Sequence, residues 1–173
     1  MEAATPDCAH AQVSEWSGEI KRDAHALKKT DPLAVFLQWM VQIHLPERPR
    51  TQVYTVLSEL VNNAVEHGLL RMDSSLKIHG DGFEKYYEER DVRLSNLASG
   101  HLRIRLEQWP VAGGRAIKIC VEDSGSGFDA QGVVSALGSG DKLCGRGIAL
   151  ARKLTTRLEY DDSGNKVEAE YHG

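Results

Sequence analysis

The sequence has only three cysteines, Cys8, Cys120 and Cys144, and none stands in a CxxC pair. An odd, unpatterned set of thiols excludes a disulfide framework and fits a reducing compartment, so a cytoplasmic location is expected. No apolar run approaches the ~18 residues that a bilayer-spanning helix needs. The opening residues MEAATPDCAH lack the basic and then apolar regions of a secretory leader and read as a tail or linker stub. A basic excess is missing too, with 21 Lys and Arg against 25 Asp and Glu and a formal net charge of -4. Nothing in that balance draws the chain to phosphate backbones or anionic membranes, so neither nucleic acid nor membrane is an expected partner. The seven histidines show neither HExxH nor another paired ligand spacing, which leaves no histidine-based metal centre to argue for. Internal repeats and low-complexity tracts are absent as well.

What is present is an ordinary globular chain of 173 residues, 41% hydrophobic and 27% charged, enough for one domain with one core. The domain is expected over residues 13–173, with residues 1–12 as the tail. The stretch from Val13 to Leu27 can supply a first strand. Asp31-Pro32 reads as an N-cap followed by proline at the first helical position. Leu33, Phe36, Leu37, Met40 and Val41 then recur at helical spacing and predict a helix to about His44, broken by Pro46 and Pro49. Val53, Val56, Leu57, Leu60, Val61 and Ala64 form an apolar stripe on a second helix, which Gly68 is placed to end. Residues 71–100 carry a thin stripe (Phe83, Tyr86, Tyr87, Leu94, Leu97) among many charges and predict a helical excursion outside the central core. There Tyr86 and Tyr87 offer a docking surface on an otherwise solvated face. HLRIRLEQ and RAIKICVE alternate as antiparallel strands joined by a short loop, WPVAGG. Ile148 to Leu154 suggests another helix, and TRLEYDDSGNKVEAEY a final hairpin turning at Ser163-Gly164-Asn165. Trp16, Trp39 and Trp109 are expected to pack, and Cys120 to face the core or lie near it. Helices mixed with adjacent hairpins imply an α+β sandwich, one mostly antiparallel sheet covered by helices on one face.

Three constellations carry chemistry. In SELVNNAVEHG, Glu59 and Asn63 stand one helical turn apart and share a face, with Thr55, Asn62 and Glu66 flanking them. An amide oxygen there can ligate Mg²⁺, while the carboxylate can orient a hydroxyl nucleophile and accept its proton. A solvated polar face is the plainer reading of the same residues. In VEDSGSGFD, Asp123, Gly125 and Gly127 follow an alternating strand. A carboxylate at a strand end can accept from an exocyclic amine such as adenine N6, and the glycines let backbone pass close to a ligand. Taken alone, a strand-ending turn is the plainer reading of that segment. In GSGDKLCGRGIAL, Gly138, Gly140, Gly145 and Gly147 give flexibility, and Gly145-Arg146-Gly147 opens a helix whose N–H groups can bind an anion, with Lys142 and Arg146 adding charge. The alternative there is a surface loop before a helix.

Taken together, in this order and placement, the three resemble the GHKL ATPase superfamily, the Bergerat fold of histidine-kinase catalytic domains and anti-sigma-factor serine kinases. ELVNNAVEHG resembles its N box, DSGSG its G1 box and GRGIAL its G2 box, and the resemblance spans roughly residues 13–171. It implies a two-layer sandwich that takes ATP and Mg²⁺. Asn63 would hold Mg²⁺, Glu59 would act as base, and Asp123 would read adenine with Gly125 and Gly127 making room. Gly145 and Gly147 would hinge a lid over the phosphates. The full expected nucleotide-binding set is Asn62, Asn63, His67, Asp123, Gly125, Gly127, Lys142, Gly145, Arg146, Gly147 and Ile148. For His67, which follows the polar arc, a structural role at the helix end competes with a phosphate contact.

The lid is short, with Gly145 only 18 positions after Gly127, and no helical hairpin bearing a phospho-accepting histidine precedes it. Those features favour the anti-sigma-factor serine kinases. RMDSSLK, GFEKYY and the charged helix resemble kinase domains fused to receiver and serine-phosphatase modules in bacterial switching proteins. The implied substrate is a serine on a STAS-type anti-sigma antagonist, with a sigma factor as a further candidate partner and homodimerisation expected from relatives. Two other functions stay open: a nucleotide-binding module that sequesters its partner without phosphotransfer, and a histidine-kinase catalytic domain acting in trans.

Overall fold

Residues 15–73, 82–127 and 146–173 are described by a computed structural model. Five strands form one sheet: β1 (Trp16–Asp23), β2 (His101–Val111), β3 (Gly114–Asp123), β4 (Arg157–Tyr160) and β5 (Lys166–His172), in the order β1-β2-β3-β5-β4. Every neighbouring pair is antiparallel. The β2–β3 hairpin turns at Ala112-Gly113, where Gly113 takes a φ of 88° that a side chain would resist. Trp109 and Pro110 therefore belong to β2, not to the connecting loop.

Alternation decides the two faces. Leu102, Ile104, Leu106, Ile117, Ile119, Val121, Val167 and Ala169 point into the core. Their neighbours outside are charged and paired across strands, as in Lys118–Glu168 at 2.7 Å and Arg103–Glu122 at 3.6 Å. Cys120 belongs to this outer face, opposite Arg105 and Glu168 in the ladder, so of its two expected placements, facing the core or lying near it, the first is corrected. Its half-burial among those charged rows pushes the thiol pKa up.

Helices cover the inner face. α1 (Ala24–Lys29), unforeseen in the sequence, follows β1 directly, and the Asp23 carboxylate caps it by accepting the Ala26 N–H at 2.8 Å. α2 (Leu33–Gln42) begins one residue later than expected, with Asp31 accepting the Leu33 N–H at 2.8 Å. Phe36 and Met40 are its fully buried anchors, and Trp39 packs edge-on against both Phe36 and Trp16. α3 (Glu47–Asn63) starts earlier than its apolar stripe suggests. Pro49 lies inside its first turn rather than breaking a helix, because an N–H there has no intrahelical partner to lose.

Gly68 does not end α3. The chain continues as a π-helical turn, Ala64–Leu69, closed by the Leu70 N–H donating to the Val65 carbonyl at 2.9 Å. The 71–100 excursion contains α4 (Gly82–Asn96), with Phe83, Tyr87 and Val92 exposed. Tyr86 is fully buried in the common core, which corrects both its placement outside the core and its role as a docking residue. α5 (Arg146–Leu154) packs beside α3, and no helix among the described residues is long and apolar enough to cross a membrane.

Candidate nucleotide site

The core ends in a hollow between α3 and the C-terminal half of the sheet. Leu60, Asn63, Ala64, Gly68, Val121, Asp123, Tyr160, Gly164, Asn165 and Val167 line it, and it opens to solvent. Alternation of β3 turns Asp123 inward at the strand end, and the helical period of α3 brings Asn63 to the same wall. The two residues on which the sequence argument depends share one cavity.

Asp123 is 6% exposed and held from several directions. The Gly125 N–H donates to its Oδ1 at 2.7 Å, and its own backbone N–H donates to the Asn165 carbonyl at 2.9 Å. Burial pushes its carboxyl pKa up to about 6. The Gly125 hydrogen bond opposes that rise, and the charges of Asp161 and Glu122 add to it. A carboxylate with that many fixed neighbours and open space beside it is set to accept from a ligand donor.

The glycines explain themselves by contact. A Cβ on Gly68 would collide with the Asp123 carboxyl group, and one on Gly125 with the Gly68 carbonyl and Asp123 Oδ1. Gly127 takes a φ of 72°, and its missing Cβ leaves room for the Ser163 carbonyl. The loop after β3 thus packs on the β4–β5 turn, where the Asn165 amide also donates to the Gly125 carbonyl at 3.3 Å.

Asn63 Nδ2 is buried without a well-aligned hydrogen bond among the described residues. Its amide approaches the Tyr160 hydroxyl closely enough to bear on that group's acidity. Burial pushes the Tyr160 phenol up to about 12, and the Asn63 amide pulls the other way. Glu59, one turn back on α3, lies against the first turn of α5, where a Cβ on Gly147 would run into its carboxylate. Among the described residues no group of three His, Cys, Asp or Glu could hold a metal. A cation here would take most of its ligands from phosphate oxygens, with the Asn63 amide oxygen as the protein's contribution, and this donor set suits Mg²⁺.

Other expected site residues are placed elsewhere. Asn62 is exposed and lines a second hollow with Leu27, Asp31, Leu33, Val61 and Arg90. His67 Nδ1–H donates to the Met72 carbonyl at 2.9 Å, the structural alternative for that residue. The Ile148 side chain is buried in the core, so any nucleotide contact from it comes through its backbone. Arg146 opens α5 at the surface. Lys142 and Gly145, with Gly138, Gly140 and Cys144, lie outside the described residues. Tyr160, Gly164 and Asn165 were missed as lining residues. Tyr160 continues the inward alternation after Leu158, but nothing in the sequence says that this strand end meets α3.

Fold and hollow together define a nucleotide-binding α+β domain with a buried aspartate at the end of an inner strand. The family model for the histidine kinase-like ATPase domain matches residues 26–171, and the chain belongs to that family. Domains of this family bind ATP, usually with Mg²⁺, which supports ATP binding and an ATP-dependent phosphotransfer or ATPase activity here. No curated protein sequence matches the chain significantly.

Proposed function

We propose that this domain is an Mg²⁺·ATP-dependent protein serine kinase whose acceptor is a serine on a STAS-type anti-sigma antagonist, within a cytoplasmic partner-switching pathway. The observation that carries it is the shared hollow of Asn63 and Asp123, with Glu59 one helical turn away against α5. Asp123 accepts from the adenine amine, and the Asn63 amide oxygen serves the metal beside the phosphates. The metal, when bound, offsets the charge of the phosphate oxygens.

Glu59 is what separates a kinase from a module that only holds nucleotide, because binding alone needs no positioned base. In the transfer, the serine Oγ bonds to the γ-phosphorus as the bond to the β,γ-bridging oxygen breaks. The serine proton passes to the Glu59 carboxylate, and ADP leaves. A sigma factor, a second copy of the domain, and fused receiver and phosphatase modules are the further partners this reading suggests.

The test is phosphate incorporation into candidate STAS proteins mixed with the domain and Mg²⁺·ATP. Transfer should vanish in Asn63→Ala and Glu59→Ala, and the phosphoprotein should survive acid, as phosphoserine does and phosphohistidine does not. Undiminished transfer in either variant overturns the site. Tight nucleotide and partner binding without any transfer would establish the sequestering module instead.

A further inference from the structure

The π-helical turn at Ala64–Leu69 is gripped from one side and presses on the nucleotide hollow from the other. Glu66 is 8% exposed, and α4 clasps it: the Tyr86 hydroxyl donates to Oε2 at 2.6 Å, and Arg90 Nε stands 3.3 Å from Oε1. A carboxylate so buried stays only where it is paired. Burial and that bond to Glu66 together hold the Tyr86 phenol well above its ordinary range. Two residues on, and so on a different face of the turn, Gly68 meets the Asp123 carboxyl group with no room for a methyl group.

The end of the turn is fixed by the same helix. Arg93 of α4 donates to the Leu70 carbonyl at 2.9 Å and the Arg71 carbonyl at 2.6 Å. Arg71 sits at a φ of 50°, a left-handed conformation that costs a non-glycine residue roughly 1 kcal/mol or more and persists only where neighbours enforce it. π-helical turns are rare and frequently mark functional positions. Here the wider turn brings Gly68 to Asp123, and three side chains of α4 hold it there.

We propose that Glu66 is a positioning residue for the adenine-reading pocket. Clasped by Tyr86 and Arg90, it sets where Gly68 abuts Asp123 and so how well the pocket takes an adenine nucleotide. The claim rests on the nucleotide reading of the hollow above, and it gives α4 a task in the site although α4 lines none of it.

The test uses the whole domain carrying Tyr86→Phe, which keeps the ring and removes one hydrogen bond to a buried charge, and Arg90→Met, at the more exposed end of the clasp. ADP and ATP affinities are measured by calorimetry well below each variant's unfolding midpoint. A hydrogen bond to a charged group is worth roughly 10- to 100-fold in an equilibrium constant, and its loss, only partly transmitted to the pocket, should weaken both nucleotides about three- to tenfold. The ratio of ATP affinity with and without Mg²⁺ should stay unchanged, because the phosphate end is untouched. In nuclear magnetic resonance spectra the Gly68 amide and the Asp123 carboxyl carbon should both shift. Affinities within twofold of wild type, with those two signals unmoved and only the midpoint lowered, overturn the proposal and leave a structural clasp. If Tyr86→Phe does not fold, Arg90→Met alone decides. A wild-type domain that binds no nucleotide would refute the proposed function, and the Gly68 and Asp123 signals would then decide the clasp by themselves.

Discussion

Adding one methyl group at Gly68 is the sharpest test of how the hollow is built. An alanine Cβ there would fall within van der Waals overlap of three atoms of the Asp123 carboxyl group. The carboxylate cannot simply swing away, because Oδ1 already accepts the Gly125 N–H and the strand end is tied to Asn165. Either that hydrogen bond breaks or the turn retreats, and overpacking of this kind costs about 1–3 kcal/mol. For a domain of this size each kcal/mol lowers the midpoint by roughly 2–4 °C. Because the displaced group is the one that reads adenine, nucleotide affinity should fall by about 10- to 100-fold, the equivalent of that energy. Calorimetric titration with ADP and thermal unfolding would measure both. The decisive arm is the background: once Asp123→Ala removes the obstructing carboxylate, the stability cost of Gly68→Ala should shrink to within about 0.5 kcal/mol of zero. An equal cost in both backgrounds, or a Gly68→Ala domain that binds ADP as tightly as wild type, would refute the close approach.

Other outcomes follow from single features. The ionised Asp123 carboxylate is a stronger acceptor than the protonated acid, so ADP affinity should drop as pH falls through about 6, with the dependence abolished in Asp123→Asn; a flat wild-type profile between pH 5 and 8 would exclude this role. Since its folded pKa lies above the unfolded value, Asp123 makes the fold less stable as pH rises from about 4 to 6, so Asp123→Asn should flatten the thermal midpoint across that window. Phe36→Ala, emptying a fully buried site, should cost about 3–5 kcal/mol in denaturant titration. Lys118→Ala, breaking the half-exposed pair with Glu168, should cost no more than about 1 kcal/mol in the same assay. Gly127→Ala should destabilise by more than about 1 kcal/mol, since it forces a side chain into a left-handed backbone and onto the Ser163 carbonyl.

Local rules account for much of what was legible. The period of 3.6 marked α2, α3 and α5, and the period of 2 marked β2, β3 and the last hairpin, because each buries one face against a single layer. Spacing alone put Glu59 and Asn63 one turn apart, and three short motifs in fixed order pointed to the family that the match over residues 26–171 shows. Their meeting in space was not local. That Asp123 turns inward opposite Asn63 depends on the order β1-β2-β3-β5-β4, which sets β3 beneath α3 and lays the β4–β5 turn across the loop after β3. Tyr160 and Asn165 join the hollow through that topology and carry no motif of their own.

What the sequence by itself determined is therefore the periodic and the close-range: which segments are helices and strands, which face of each is apolar, and which residue types are brought within a turn of one another. Tertiary structure alone decided Gly68, Tyr86 and Glu66. Gly68 reads as a helix stop until Asp123 is seen against it. Tyr86 reads as part of a thin apolar stripe open to docking, and Glu66 as part of a polar face, until α4 buries one against the other. The physical reason is the same in each case. A missing Cβ or a buried hydrogen bond has meaning only with respect to a partner far along the chain, and no local period records where that partner will lie.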